Sequence, residues 1–124
     1  MYATNLRRAE YNLNAVELIM ECMSNDEFGK DLIAFHVHDS IMNSLKFILD
    51  KKSINSRGMY NIVDLLYLLH DDEVNEVIGA NQHLIADWGT ITRYEGDTKI
   101  DEYVMSEFVN IATQIFNIAR SYVK

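Results

Sequence analysis

Residues 35–49 read FHVHDSIMNSLKFIL and contain the clearest structural pattern of this chain. Most of their apolar side chains recur at intervals of three and four residues, which predicts one buried face of an α-helix. The apolar positions of this face are Phe35, Ile41, Met42, Leu45, Ile48 and Leu49. Polar side chains are interspersed among them, namely His36, His38, Asp39, Asn43 and Lys46. Because polar groups near a core need hydrogen-bond partners or a ligand, any functional site is predicted here.

Similar periodicity elsewhere predicts that residues 1–124 form a single all-α domain, a five-helix up-and-down antiparallel bundle. The first expected helix ends near residue 24. The other four cover about residues 26–52, 60–69, 74–88 and 101–122. The first has Leu6, Ala9, Leu13, Val16, Met20 and Met23 on its apolar stripe. Proline is absent from all 124 residues, as expected for a nearly all-helical chain, because proline costs about 3 kcal/mol inside a helix.

The charge and cysteine content exclude several classes of protein. A formal net charge of −8 argues against strong autonomous nucleic-acid binding, although a local basic patch remains compatible with it. Cys22 is the only cysteine, which excludes an intramolecular disulfide, and it is expected to be a small core residue rather than a nucleophile. Neither a signal-peptide core nor a run long enough to span a membrane is recognisable. The sequence therefore predicts a cytoplasmic protein.

The histidines of the second helix do not predict a metal site. His36 and His38 are two residues apart, so on a helix they point in nearly opposite directions and cannot share one ion. His36 and Asp39 have the spacing to supply two ligands, but a complete site needs more from another helix. Structural hydrogen bonding is the favoured interpretation, and we expect no metal, no cofactor and no catalytic residue.

A second polar segment lies at residues 93–97, which read RYEGD. Arg93 beside Tyr94, followed by a turn glycine, has the chemistry to offer a guanidinium fork and a ring to a phosphate or a base. Alternatively, Arg93 pairs with Asp87 or Asp97 while Tyr94 covers the end of the bundle. The sequence leaves both interpretations open.

Together these two segments resemble the HEPN domain family. In that family the second helix typically reads Phe-His-x-x-Gln-Ala-x-Glu-Lys-x-x-Lys and a late loop reads Arg-Tyr-Pro. The matching positions are Phe35, His36, Lys46, Arg93 and Tyr94, and the resemblance covers about residues 9–122. Asp39 stands where glutamine is usual and Glu95 where proline is usual. Ribonuclease members carry an arginine, then four to six intervening residues and a histidine, a pattern that this chain lacks.

The resemblance implies a helical bundle that commonly forms homodimers and is often encoded beside a small nucleotidyltransferase. It therefore implies a non-catalytic nucleotide-binding or regulatory partner of such an enzyme, in a toxin–antitoxin-like system. One alternative is a divergent ribonuclease toxin using Arg93, His36 and Asp39, and another is a purely structural dimerisation module. The seven Tyr, five Phe and six Met residues also favour a dimer, because one small core hides only part of this apolar surface.

The predicted ligand site combines the two segments. We expect His36, Asp39 and Asn43 to lie near Arg93 and Tyr94 in one groove of the bundle or dimer. Arg93 would hold a phosphate, Tyr94 would stack on a base, and His36 or Asn43 would hydrogen-bond the remainder. Asp39 would repel phosphate and is expected to orient Arg93 or His36 instead. An internal salt-bridge network without a ligand is the competing interpretation.

Overall fold

The computed structural model describes residues 2–23, 27–81 and 102–123. These residues form five α-helices and no β-strand, which confirms the predicted all-α bundle. The helices are α1 (Tyr2–Met23), α2 (Glu27–Lys51), α3 (Ile62–Leu69), α4 (Asp72–Ile78) and α5 (Glu102–Arg120), with a 3₁₀ turn at Gly79–Asn81. None of the described helices is both long and apolar enough to cross a membrane.

The helix α2 lies at the centre of the bundle. The three long helices α1, α2 and α5 contact one another, while α3 packs against α2 and α4 packs against α5. Neighbours on several sides bury more of α2 than the single face predicted from its periodicity. Its fully buried residues are Ile33, Ala34, Val37, Ser40, Ile41, Ser44, Leu45, Phe47, Ile48 and Leu49. By contrast, Phe35 and Met42, which were predicted to face the core, are only half-buried.

The short helix α3 is delimited by its capping residues. The Asn61 side-chain oxygen accepts hydrogen bonds from the backbone N–H groups of Val63 and Asp64, at 2.8 and 3.4 Å. These bonds start the helix at Ile62, two residues after the predicted Tyr60, because they satisfy otherwise unpaired donors of the first turn. His70 ends the helix in the left-handed conformation, with φ of 50°. The apolar residues Ile62, Leu65, Leu66 and Leu69 of this helix are all buried.

The fourth helix was predicted to run from about residue 74 to about Trp88, but α4 ends at Ile78 and a 3₁₀ turn follows at Gly79–Asn81. The helix ends there because Gly79 adopts a φ of 59° and a ψ of −136°, a conformation that does not continue an α-helix. Val74 and Ile78, four positions apart on α4, are both buried, as their helical spacing indicates. Periodicity alone did not identify Gly79 as a helix terminator. Trp88 itself lies outside the described residues.

The expectation that Cys22 is a core residue is also wrong, because its side chain is exposed. The core-facing stripe of α1 passes through Ala9 and Val16, and both of these residues are buried. Cys22 follows Val16 by six residues, which on a helix of 3.6 residues per turn places it on a different face. Its neighbourhood in the sequence was therefore a poor guide to its burial.

Candidate functional site

A polar seam connects α1 and α2 on the face that carries the predicted site residues. The His36 Nδ1 and the Asn12 Oδ1 lie 2.7 Å apart, and these residues are separated by 24 positions in the chain. One turn further along α2, the Ser40 hydroxyl donates to the Ala9 carbonyl at 3.0 Å, in a fully buried position. These two bonds fix the antiparallel register of α1 against α2. His36 thus has the structural hydrogen bond that its position predicted.

The hydrogen bonds of Asn12 determine which His36 nitrogen carries the proton. The Asn12 amide nitrogen donates to the Arg8 carbonyl at 2.8 Å, so its amide oxygen is the acceptor for His36. Burial lowers the pKa of His36, although the nearby Asp39 carboxylate partly offsets this effect. At neutral pH the ring is therefore neutral and protonated at Nδ1, which leaves Nε2 with a lone pair. This nitrogen is available chemically as a hydrogen-bond acceptor or as a base.

The other predicted polar residues of α2 are engaged locally. The Asn43 side-chain nitrogen donates to the Asp39 carbonyl one turn earlier, at 2.8 Å. The Asp39 carboxylate lies 3.4 Å from the neighbouring His38 Nδ1. His36, Asp39 and Asn43 follow the i, i+3, i+7 spacing of one helix face and are all half-buried. The structure thus places these three predicted residues along one side of α2.

The remaining predicted site residues, Arg93 and Tyr94, lie outside the described residues. Their predicted proximity to His36 and Asn43 therefore stays a prediction. Across residues 2–23, 27–81 and 102–123, no group of three or more His, Cys, Asp and Glu side chains is arranged to hold a metal ion.

A cationic patch, formed by Arg7, Arg8 and Lys46 with Tyr11 and Tyr60, adjoins the polar seam. A cavity of about 490 Å³ at the start of α1 is lined by Thr4, Arg7, Arg8 and Tyr11. The rings of Tyr11 and Tyr60 are strongly exposed, at 62% and 73% of their full accessible areas. Among the described residues, no carboxylate forms an ion pair with either arginine. The patch offers two guanidinium groups and exposed aromatic rings on a chain of net charge −8.

The electrostatics of Lys46 connect α2 to this patch. Burial lowers the pKa of Lys46, and the positive charge of Arg8 lowers it further. The Lys46 ammonium also lies over the Tyr60 ring, 4.3 Å from its centre, in a cation–π contact. Because like charges raise the local positive potential, a bound anion would relieve the repulsion between Arg8 and Lys46. The arrangement is chemically suited to a phosphate group with an aromatic base beside it.

The α1 half of this patch was not predicted from the sequence. Thr4, Arg7, Arg8 and Tyr11 have the i, i+3, i+4, i+7 spacing of a single helix face, which was a usable signal. Lys46 is 38 positions away from Arg8, and only the packing of α1 on α2 brings the two charges together. No protein-family model, curated protein or solved structure matches this chain.

Proposed function

We propose that this chain is a HEPN-like, non-catalytic nucleotide-binding protein that regulates a small nucleotidyltransferase in a toxin–antitoxin-like system. The observation that supports the proposal is the cationic patch, in which Arg8 and Lys46 are close enough for one charge to affect the other. Guanidinium groups bind phosphate oxygens in a bidentate manner, and exposed tyrosine rings stack on bases. Lys46 also belongs to the part of the sequence that resembles the family.

The polar seam is expected to hold the patch in place. Asn12 hydrogen-bonds the His36 ring and Ser40 hydrogen-bonds the Ala9 carbonyl, so α1 cannot shift along α2 without breaking these bonds. This rigidity favours binding because less conformational entropy is lost when the ligand is bound. His36 is thus proposed to act mainly as a positioning residue for the turn of α1 that carries Arg8.

Nucleotide binding is tested by calorimetric titration of the protein with ATP, GTP and inorganic phosphate. We expect Arg8→Ala to weaken nucleotide binding about tenfold or more, since a hydrogen bond to a charged group contributes about 1.5–3 kcal/mol. Tyr60→Ala should weaken binding of ATP but leave that of inorganic phosphate unchanged. Arg57→Ala is the matched control, because Arg57 is an exposed arginine in the α2–α3 linker. Equal losses in Arg8→Ala and Arg57→Ala would contradict a specific site.

The same titration tests the residues predicted from the late loop. If Arg93 and Tyr94 complete the site, Arg93→Ala should weaken nucleotide binding and leave the free energy of unfolding nearly unchanged. If wild type binds no nucleotide at millimolar concentrations while Arg93→Ala loses stability, Arg93 is structural and the nucleotide proposal fails.

A divergent ribonuclease toxin is the second candidate function. It is favoured by one observation, the half-buried His36 ring, whose pKa is lowered by burial and partly restored by the charge of Asp39, which suits a general base. Cleavage of RNA by the metal-free protein that is lost in His36→Ala would support this function and contradict the non-catalytic proposal. Asn12→Ala serves as the comparison, because it removes the partner of His36 but keeps the imidazole.

The partner proposal is tested by the neighbouring genes and by co-expression of the two proteins. We expect a neighbouring reading frame with the Gly-Ser…Asp-x-Asp pattern of a small nucleotidyltransferase. Co-expression of the two chains should give a complex that survives gel filtration. A neighbourhood without such a frame, or two chains that elute separately, would contradict the partner proposal without affecting nucleotide binding.

We further propose that the chain forms a homodimer through the outer face of α1. Leu18 is 63% exposed, and the exposed Cys22 lies one turn later on the same side of the helix. Light scattering should give twice the chain mass of 14.4 kDa for wild type, and the single-chain mass for Leu18→Glu. Asn117→Glu adds the same charge at an exposed position of α5 and should leave the dimer intact. A wild-type mass of 14.4 kDa at tens of micromolar protein would contradict the dimer.

A further inference from the structure

A second cavity, of about 330 Å³, opens between α3 and α4. The deeply buried side chains of Leu66 and Ile78 contribute to its apolar lining, and Val63 extends this lining. Tyr67, His70 and Asn75 also line the cavity, and all three are exposed to solvent. The site therefore combines a small apolar surface with polar groups at its opening, which is the composition of a ligand pocket.

Two aromatic side chains, Tyr67 and His70, lie at the opening of this cavity. The Tyr67 ring is 77% exposed and lies 5.4 Å from the His70 ring, with the two planes tilted by 52°. His70 is held in its left-handed conformation by a hydrogen bond from its N–H to the Leu66 carbonyl, at 3.1 Å. A large exposed aromatic ring beside a cavity offers a face for a cation or for an apolar side chain.

The charge of the surrounding surface selects the class of ligand. Residues 59–81 contain five acidic side chains and neither lysine nor arginine. Lys52 contacts Asp71, whereas Asp64 and Asp72 are exposed one helical turn before Tyr67 and Asn75 respectively. Negative charge of this density repels phosphate and nucleic acid and attracts a positively charged segment.

We propose that the cavity between α3 and α4 is a docking site for a basic segment of a partner protein. An arginine or lysine side chain of that segment would lay its aliphatic part on Leu66 and Ile78. Its charged end would lie between the Tyr67 ring and the carboxylates of Asp64 and Asp72. This site is separate from the cationic patch, and its ligand has the opposite charge, so the inference does not depend on nucleotide binding.

The test is fluorescence anisotropy with a labelled peptide of sequence Ser-Gly-Arg-Leu-Arg-Gly-Ser and the full chain. We expect saturable binding that weakens with added salt and is absent for the same peptide with citrulline in place of arginine. Tyr67→Ala and the double variant Asp64→Asn/Asp72→Asn should each weaken binding about fivefold or more. All three substituted positions are exposed, so thermal melts of the variants should match wild type.

Matched controls separate a specific site from attraction by net charge. Gln114→Ala removes an exposed side chain from α5, and Asp50→Asn removes an exposed carboxylate from α2. Both controls should bind the peptide like wild type. If Asp50→Asn weakens binding as much as the double variant Asp64→Asn/Asp72→Asn, or Tyr67→Ala binds normally, only net charge attracts the peptide and the proposal fails. It also fails if Tyr67→Ala changes the mass of the protein in light scattering, because a second copy would then occupy the cavity.

Discussion

Replacement of Phe108 by alanine is expected to lower the free energy of unfolding by about 3–5 kcal/mol. Phe108 is 1% exposed and lies in the first half of α5, which packs against α1, α2 and α4. Truncation removes the transfer free energy of the ring and leaves a cavity that the surrounding helices fill only in part. Because small domains are typically stable by about 5–15 kcal/mol, this loss should bring the protein close to unfolding.

Urea denaturation followed by far-UV circular dichroism measures this loss. Phe108→Leu is the first control, because it retains most of the apolar volume and should cost less than half as much as the alanine substitution. Tyr67→Ala is the second control and should change stability by no more than about 0.5 kcal/mol, as the ring is mostly exposed. A loss below about 1 kcal/mol in Phe108→Ala would mean that α5 is not packed into the core as described.

The helices of the core were largely predictable because the physical signal is local. Apolar side chains at intervals of three and four residues must face one side of a helix, and Leu65, Leu66 and Leu69 are buried accordingly. The burial of Ser40 was not predictable in this way. It depends on the position of α2 between its neighbouring helices, and only tertiary packing determines that position.

The helix ends were less predictable because they depend on one or two side-chain contacts. Asn61 and Asp71 each cap a helix, although neither was identified as a cap from the sequence. The predicted start of α3 was therefore two residues too early. Gly79 ends α4 through its positive φ, whereas the apolar spacing would have allowed the helix to continue. Glycine readily adopts a positive φ, so a helix end at Gly79 was possible, but the sequence alone did not show that Gly79 adopts this conformation.

The candidate site was predictable only in the half that lies on α2. His36 was recognised as a polar residue in need of a partner, but the partner, Asn12, is on another helix. The charges of Arg8 and Lys46 are likewise brought together by packing and not by sequence spacing. The net charge of −8 left a local basic patch possible but did not locate it, because a sum over 124 residues carries no information about position.

The second large effect is expected at Asp71, which connects three segments of the fold. Its Oδ1 accepts the backbone N–H of Val74 at 3.0 Å and so caps α4. Its Oδ2 lies 3.4 Å from the Lys52 ammonium, just after α2, and 3.4 Å from the hydroxyl of Tyr122, just after α5. We expect Asp71→Ala to lower the free energy of unfolding by about 2 kcal/mol, mainly through loss of the cap.

Asp71→Asn separates the cap from the charge. Asparagine retains an acceptor for the Val74 N–H, so this variant should lose about 1 kcal/mol or less at neutral pH. Asp72→Asn is the matched control, because the exposed neighbouring carboxylate does not cap the helix, and its effect should stay below about 0.5 kcal/mol. A loss in Asp72→Asn equal to that in Asp71→Ala would show that general charge at the start of α4, and not the cap, is responsible.

The pH dependence of the difference between wild type and Asp71→Asn provides the decisive measurement. Burial by itself would raise the pKa of Asp71, but the Val74 N–H, the hydrogen bond and charge of Lys52, and the Glu73 N–H together lower it. A carboxyl with a lowered pKa in the folded state stabilises the fold above its unfolded pKa, and this contribution is lost as the pH falls through the folded pKa. The stability advantage of wild type should therefore be constant from pH 7 to about pH 5 and should decline below about pH 4. An advantage that does not change down to about pH 2 would mean that the Asp71 charge does not contribute to the stability of the fold.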